Sequence, residues 1–471
     1  MSASGNRTNH PIALPTDLDT RGGATREEIA AAASTLRDGG LVAFPTETVY
    51  GLGADASNPA AVARIFAAKG RPADHPLIVH LASADLLDAW AVRVPDVARR
   101  VAERFWPGPL TLVLHRHPDV PVAVTGGQDT VGVRVPSHPV AHALLTAFGG
   151  GVAAPSANRF GRVSPTTRER VVAELGDRVD LVLEGGACEV GLESTILDLT
   201  GERPRLLRPG GIGAAALAEV LADAPTRTVV GGPRTPGRLA SHYAPTTPVR
   251  VVEAAVLPEA VRAAHAAGLR VAVLTADGDV ARTDADAVVT MPSSADAYAR
   301  ELYARLAGVD ALGCDVALVR RPPASAGWEA VHDRLGRSEG VDPHAPRGLV
   351  VVARPGDAGA CADEALRAGV VLLSAWVGDA PPRVLTAPDG ARPLHLGEPE
   401  PCGPGALIRL DASDENLGIP VAAVELVDAL VATGVAGRLA PRPSTDGDPL
   451  AAALAHAELA TLAGRHPDVV A

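Results

Sequence analysis

From its first third onward, the chain alternates short apolar runs with amphipathic segments. Runs rich in β-branched residues at 41–45, 77–81, 110–115, 131–136, 179–183 and 194–199 have the length of strands and turn residues at their ends. Helical spacing fills 25–38, 59–69, 94–105, 138–148 and 166–175. This alternation predicts an α/β domain with a mixed sheet over residues 1–223. A Pro/Gly-rich stretch without periodicity follows at 224–248, a linker or a functional loop. The pattern then resumes: VRVVE, LRVAVLTA, AVVTMP and VALVRRP alternate with helical spacing near 257–268, 294–312 and 327–338. It predicts a small Rossmann-like α/β domain over 249–340. Residues 341–471 read as a third α/β segment, with strands in GLVVVARPG, GVVLLSAWVG and GALIRLD and helices near 356–368, 422–433 and 448–464. No chemical motif stands out there.

Composition narrows the class. With 471 residues, 47% hydrophobic and 21% charged, the chain can fill several cores, which excludes a disordered protein and a disulfide-stapled miniprotein. Aromatics are only 3%, so Ala, Val and Leu must build those cores. The net charge of -12 is unevenly spread, with 21 basic against 23 acidic residues through residue 210 but nine against 17 over 341–471. No segment carries the basic stripe that a phosphate backbone needs, so strong direct binding to nucleic acid is not expected. Cys188, Cys314, Cys361 and Cys402 form no CxxC pair, which points away from zinc ribbons and disulfide frameworks. The polar N-terminus and the lack of an apolar run near the roughly 18 residues of a membrane span predict a cytoplasmic protein without a membrane partner.

One count changes the picture. Of the 43 basic residues 42 are Arg, and the single lysine is Lys69, in AAKGRP. A chain that uses Arg for every other cation has kept one compact, strongly hydrated ammonium here. Val62, Ile65 and Phe66 mark the inward stripe of helix 59–69, and Lys69 falls on that stripe at i+3 and i+4. Gly70 is placed to cap the helix and present Lys69 and Arg71 at its end.

Several familiar constellations are absent. There is no GxxxxGK[ST] loop, PGGIG at 209–213 lacks dinucleotide spacing, HPVAH lacks the Glu of HExxH, and Ser156 sits in no GxSxG elbow. What remains is PTETVYGLG (45–53), KGRPADHPLIVH (69–80), DTVGVRVP (129–136), APSANRFGRVSPT (154–166), ESTILDL (193–199) and LLRPG (206–210). They bring together hydroxyls and backbone amides with Lys69, Arg71, Arg134 and Arg208, an inventory suited to a ligand bearing phosphates and a carboxylate.

In this order and spacing, the six segments resemble the YrdC-like threonylcarbamoyl-AMP synthases, and HYAP (242–245) with residues 249–340 looks like the longer, two-domain form. The resemblance implies a YrdC-like twisted mixed sheet in the first domain. It implies a nucleotidyltransferase that makes threonylcarbamoyl-adenylate from L-threonine, bicarbonate or CO2, and ATP with Mg2+, releasing pyrophosphate. The product would feed a downstream tRNA threonylcarbamoyl transferase complex. Carried over by resemblance, Thr48, His80, Arg134, Ala154 and Ser194 would line the threonine side. Lys69, Arg71, His75, Thr130, Ser156, Asn158, Ser164, Arg208, His242 and Tyr243 would line the ATP side, with Lys69 and Arg71 catalytic. No all-protein metal cage is visible. The loop before HYAP is expected to fold over the ATP pocket as a lid. His75 stands where the family often has Asn or Lys, and TPGRLAS replaces a more basic run. Two other readings are a carbamoyltransferase that forms a carbamoyl-adenylate from carbamoyl phosphate, and a non-catalytic RNA- or nucleotide-binding protein.

Overall fold

The first helix begins where the sequence supplies a complete cap: Thr25 and Glu28 each satisfy the other's backbone N–H ahead of α1 (Arg26–Arg37). The computed structural model describes residues 23–221, 223–227, 232–237, 243–255, 257–266, 268–276 and 284–339, with the backbone of strands at 348–353, 371–377, 383–384, 406–409 and 437–439. After α1 come β1 (Val42–Phe44), β2 (Gly51–Asp55), α2 (Pro59–Lys69), β3 (Ile78–His80), β4 (Ala91–Val92) and α3 (Asp96–Phe105). Next are β5 (Leu110–Arg116), α4 (Val122–Thr125), β6 (Thr130–Arg134), α5 (Pro139–Phe148), β7 (Val152–Ala153) and α6 (Arg168–Leu175). The series closes with β8 (Leu181–Val182), β9 (Thr195–Asp198), β10 (Arg205–Arg208), α7 (Ala214–Leu221) and β11 (Thr226–Arg227).

These strands form one mixed sheet in the order β11-β10-β9-β5-β6-β3-β7-β2-β1-β8, with β4 paired on β5. The β1–β8, β3–β6, β5–β9 and β10–β11 pairs are parallel and the others antiparallel. Successive residues in a strand face opposite ways, and the cores follow that alternation. In β1, Ala43 joins the core under α2, α3 and α6, while Val42 and Phe44 join the core under α1 and α5. Helices therefore cover both faces of the sheet. The six apolar runs become strands, whereas β2, β7 and β10 come from stretches without an obvious strand pattern. In β2 the sequence GLGAD has no β-branched residue, and pairing on both sides, to β1 and β7, makes it a strand.

α2 realises the pattern of its sequence. Asn58 caps its start, Pro59 occupies the first turn, Gly70 closes it in the left-handed conformation at φ 64°, and Val62, Ile65, Phe66 and Lys69 are all buried.

The chain divides into two compact units. The first holds the described residues up to Thr246 together with Met291–Gly308 and Pro322–Ser338. The second holds Thr247–Thr290, Val309–Arg321 and the described residues from Glu339 on. The elements after the large sheet are β12 (Val249–Val252), α8 (Leu257–Ala266), β13 (Val271–Ala276), β14 (Ala287–Met291), α9 (Ala295–Val309), β15 (Val316–Arg320) and α10 (Glu329–Ser338). Thus α10 and nearly all of α9 pack with the large sheet, although their sequence lies within 249–340. The second unit has a four-stranded sheet ordered β12-β15-β13-β14, with β12 and β13 parallel to β15, over a core that includes Val261, Val271 and Leu318. Its strands at 348–353, 371–377 and 406–409 coincide with the three apolar runs read there, while the helices expected at 356–368, 422–433 and 448–464 lie outside the described residues. Among the described residues no helix is long and apolar enough to cross a membrane.

The two faces of α2 differ sharply in what they contribute. Ile65 is fully buried, while Arg64 is half exposed and paired with Asp180 at 2.8 Å. Ile65→Ala should cost about 2–5 kcal/mol and Arg64→Ala less than about 1 kcal/mol, as read from urea unfolding of each variant.

Candidate active site

The pleat of the sheet selects which side chains meet. In β3, Val79 joins the core under α2 and α3, so Ile78 and His80 face the other way; in β6, Val131 and Val133 take the same core and leave Arg134 on the opposite face. β10 reaches this face by a different device. Leu206 pairs with Leu197 and Arg208 with Ile196, so an extra residue, Leu207, bulges between them. Leu207 packs with Ile78, Val113 and Ile196, and Arg208, next along the chain, also points to that face. Regular alternation would have turned Arg208 into the Leu206 core.

The resulting pocket contains about 520 Å³ of open space. Thr48, His80, Arg134, Ala154 and Ser194 line it, and so do Arg71, Ser156, Arg208 and Tyr243. At one end, buried Arg134 donates from Nη1 to Thr48 Oγ1 (2.9 Å) and from Nε to the Gly108 carbonyl (3.2 Å). Its Nη2 lies 2.8 Å from Glu47 Oε1 as an ion pair but is not aligned as a hydrogen bond. His80 is buried against the Phe44 ring edge, and burial, reinforced by the charge of Arg134, pushes its imidazole down to about 3. Ser194 Oγ is 2.7 Å from Thr111 Oγ1 and accepts from Arg208 Nη2 at 3.1 Å.

Arg71 and Arg208 dominate the other end. Arg71 donates to the Pro76 carbonyl at 2.9 Å and lies over the Phe160 ring, and burial lowers its guanidinium to about 10, so it stays charged at neutral pH. Arg208 reaches the Ser194 carbonyl (3.0 Å) and the Pro236 carbonyl (3.1 Å). The second contact ties a strap, residues 232–237, across the pocket, where Pro236 and Gly237 form part of the wall. Gly237 has φ +78°, and a Cβ there would fall 2.0 Å from the Tyr243 hydroxyl, so the strap can approach that ring only as glycine. This part of the 224–248 stretch thus supplies part of the pocket wall.

The remaining expected residues sit elsewhere. Lys69 is not in the pocket wall: its buried Nζ donates to the carbonyls of Ser156 and Asn158, each at 2.5 Å, bracing the 155–158 loop from behind. Burial, with the nearby charge of Arg71, lowers its ammonium well below the usual lysine range. Asn158 donates to the carbonyls of Arg159 and Arg162, and Ser164 donates to Glu193, so both support the wall without lining it. His75 packs edge-on against Phe160 beside Asp74, and Thr130 opens β6 opposite His115. Neither lines the pocket. His242 lies outside the described residues.

A family model described as telomere recombination matches residues 34–210, and one described as threonylcarbamoyl-AMP synthase, C-terminal domain, matches 212–340. The threonylcarbamoyl-AMP synthase of Pyrococcus abyssi is 40% identical over 324 residues, covering 66% of this chain and 94% of the relative. The chain belongs to the threonylcarbamoyl-AMP synthases. The Bacillus subtilis synthase is 39% identical over 322 residues, covering 66% and 93%. Among solved structures, Pyrococcus abyssi Sua5 complexed with L-threonine aligns at a TM-score of 0.63 and 40% identity, over 66% of this chain and 94% of that one. The synthase models end at residue 340, so 341–471 lies beyond both.

For a synthase pocket, the sequence reading left out Thr46, Glu193, Pro236 and Gly237 from the wall and Tyr303 and Arg334 from behind it. Glu193 had a signal, because it opens ESTILDL beside Ser194. Tyr303 and Arg334 had none, since they come from helices more than 100 residues further along.

His80 sets a pH test. Folded, it resists protonation down to about 3, whereas the unfolded chain takes that proton near 6.5. Its contribution to stability is therefore complete above about 6.5 and is lost as pH falls from there toward 3. Urea unfolding across this window should show wild-type stability falling more steeply than that of His80→Gln, by up to about 1.4 kcal/mol per pH unit.

Proposed function

We propose that this chain condenses L-threonine, bicarbonate or CO2, and ATP into threonylcarbamoyl-adenylate and releases pyrophosphate. The observation that carries the reading is one pocket with buried Arg134 at one end and buried Arg71 and Arg208 at the other, bridged by Ser156, Ser194 and Thr48. Arg134 would take the threonine carboxylate, because its Nη2 has no aligned hydrogen-bond acceptor among the described residues. His80 stays neutral beside it and adds no competing charge.

The chemistry needs little more than placement. The neutral threonine amine adds to CO2 and loses a proton, giving a carbamate. A carbamate oxygen then attacks the α-phosphorus of ATP, forming a P–O bond as the bond to the departing pyrophosphate breaks. Arg71 and Arg208 face the phosphates and offset charge that grows on the leaving group. Lys69 would contribute from behind, by fixing the Ser156 carbonyl and with it the loop over which the nucleotide lies. Holding the carbamate against the α-phosphate is worth about 7–11 kcal/mol from proximity. Mg2+ would enter with ATP as part of that substrate. The adenylate would pass to a downstream tRNA threonylcarbamoyl transferase complex, with the protein acting in the cytoplasm.

Pyrophosphate release from ATP tests this. It should require both L-threonine and bicarbonate, with L-serine, glycine and carbamoyl phosphate as poor substitutes. Removing either buried cation should lower kcat/KM about a hundredfold or more, with Arg134→Ala raising KM for threonine and Arg208→Ala raising KM for ATP. Release driven by carbamoyl phosphate would instead identify a carbamoyltransferase, and ATP binding without release under any condition a binding protein.

A further inference from the structure

Behind the ATP end of the pocket lies a buried charged cluster that the proposed reaction does not use. Glu193 lines the pocket, and both its oxygens are taken: Oε1 accepts from Ser164 Oγ at 2.6 Å, while Oε2 accepts from Tyr303 Oη at 2.7 Å and Arg334 Nε at 2.8 Å. Although burial pushes its carboxyl upward, the charges of Arg334 and Arg208 with these hydrogen bonds hold it below the usual glutamate range. Glu193 is thus held in place as an anion.

Arg334, on α10, is completely buried. Besides Glu193 it meets the Pro209 carbonyl at 3.1 Å and Asp333 Oδ2 at 2.5 Å, and Asp333 Oδ1 in turn accepts from Arg337 Nη2 at 3.1 Å. The central carbon of the same guanidinium lies over the Tyr243 ring, 5.4 Å from its centroid, and Tyr243 packs on Tyr303 at 5.5 Å. α9 comes so close that a Cβ on Gly191, at φ +77°, would lie 2.5 Å from the Arg300 backbone. One side chain therefore fixes one pocket residue by hydrogen bonding and supports another by a cation–π contact.

We propose that Arg334 is a positioning residue that sets the ATP end of the pocket, by fixing Glu193, and through it Ser164, and by seating the Tyr243 ring. This inference rests on reading the pocket as the synthase site. Its selectivity follows from the contacts: among the described residues those of Arg334 run to Glu193, Pro209, Asp333 and Tyr243 and none to His80, Arg134 or Thr48, so it reaches the threonine side only through the Glu193 backbone next to Ser194. A lysine could keep the charge but not the several separately aimed donors that reach Glu193, Pro209 and Asp333. If burial of charge served stability alone, an apolar side chain of similar volume would do as well.

Calorimetry with the full chain tests this, using magnesium and α,β-methylene ATP, whose α-phosphorus cannot release pyrophosphate, and separately L-threonine. Arg334→Lys should weaken the analogue about tenfold or more and leave threonine affinity within about twofold. Tyr303→Phe keeps the ring and removes only the 2.7 Å bond to Glu193; it should weaken the analogue severalfold in the same selective way, and it decides the matter if Arg334→Lys does not fold. Folded variants that bind the analogue as wild type does, or that lose threonine affinity equally, overturn the inference. Because neither titration needs turnover, a wild-type protein that binds both ligands yet releases no pyrophosphate would defeat the synthase reading and leave the role of Arg334 to the affinity shifts.

Discussion

Charge removed from water must be met by fixed dipoles or counter-charges, and the architecture around the pocket is arranged to meet it. Lys69, Arg71, Arg134 and Arg208 are all buried, and each spends at least one donor on a backbone carbonyl: of Ser156 and Asn158, of Pro76, of Gly108, and of Ser194 and Pro236. Those carbonyls belong mostly to loops. The cations are thus also the cross-links that give irregular backbone a defined shape. Arg134 is paired with Glu47 and Glu193 with Arg334, so the excess charge of the wall rests on Arg71 and Arg208, which favours an anionic ligand in a site already paid for in folding energy.

The sheet decides where that excess is spent. Because its two faces have separate jobs, one residue of register decides whether a polar side chain serves the pocket or disrupts a core. β3 and β6 meet the requirement by simple alternation, which sends Val79 and Val133 inward and His80 and Arg134 to the pocket. β10 meets it with the Leu207 bulge, so that an arginine between two leucines and a proline reaches the same place.

Much of this was legible in the sequence for a definite reason. Strands with β-branched residues and helices with clean apolar stripes announce themselves locally, as does the end of α2 at Gly70. The single lysine drew attention to the right place, yet its position on the buried stripe could not say whether Nζ would meet a ligand or a carbonyl; that depends on the 155–158 loop, almost 90 residues away. The bulge was hidden because register is a property of two strands. Arg334 was hidden more deeply, since EAVHDRLGRS reads as a polar surface helix until Glu193 and Asp333 are seen to neutralise its inward face. Buried ion pairs between distant segments leave no periodic trace, which is why the pattern reading placed α10 with 249–340 while contacts place it with the large sheet.

The strap over the pocket is held in two unequal ways. At its exposed base, Arg234 meets Gln128, Asp74 and the Gly126 carbonyl, and exposed polar contacts of this kind contribute at most about 1 kcal/mol each. At its tip, Pro236 accepts from buried Arg208, and Gly237 abuts the Tyr243 hydroxyl. An arriving triphosphate offers Arg208 a better acceptor than a neutral carbonyl, because a charge-assisted hydrogen bond is about twice as strong as a neutral one. If the proposed synthase reading holds, the Arg208–Pro236 contact is the one for which a triphosphate would compete. Glu193 and Tyr243 are held instead by buried Tyr303 and Arg334, neither of which lines the pocket. The described contacts of the strap are thus mostly exposed and individually weak, whereas Glu193 is held by buried, charge-assisted bonds that cost far more to break.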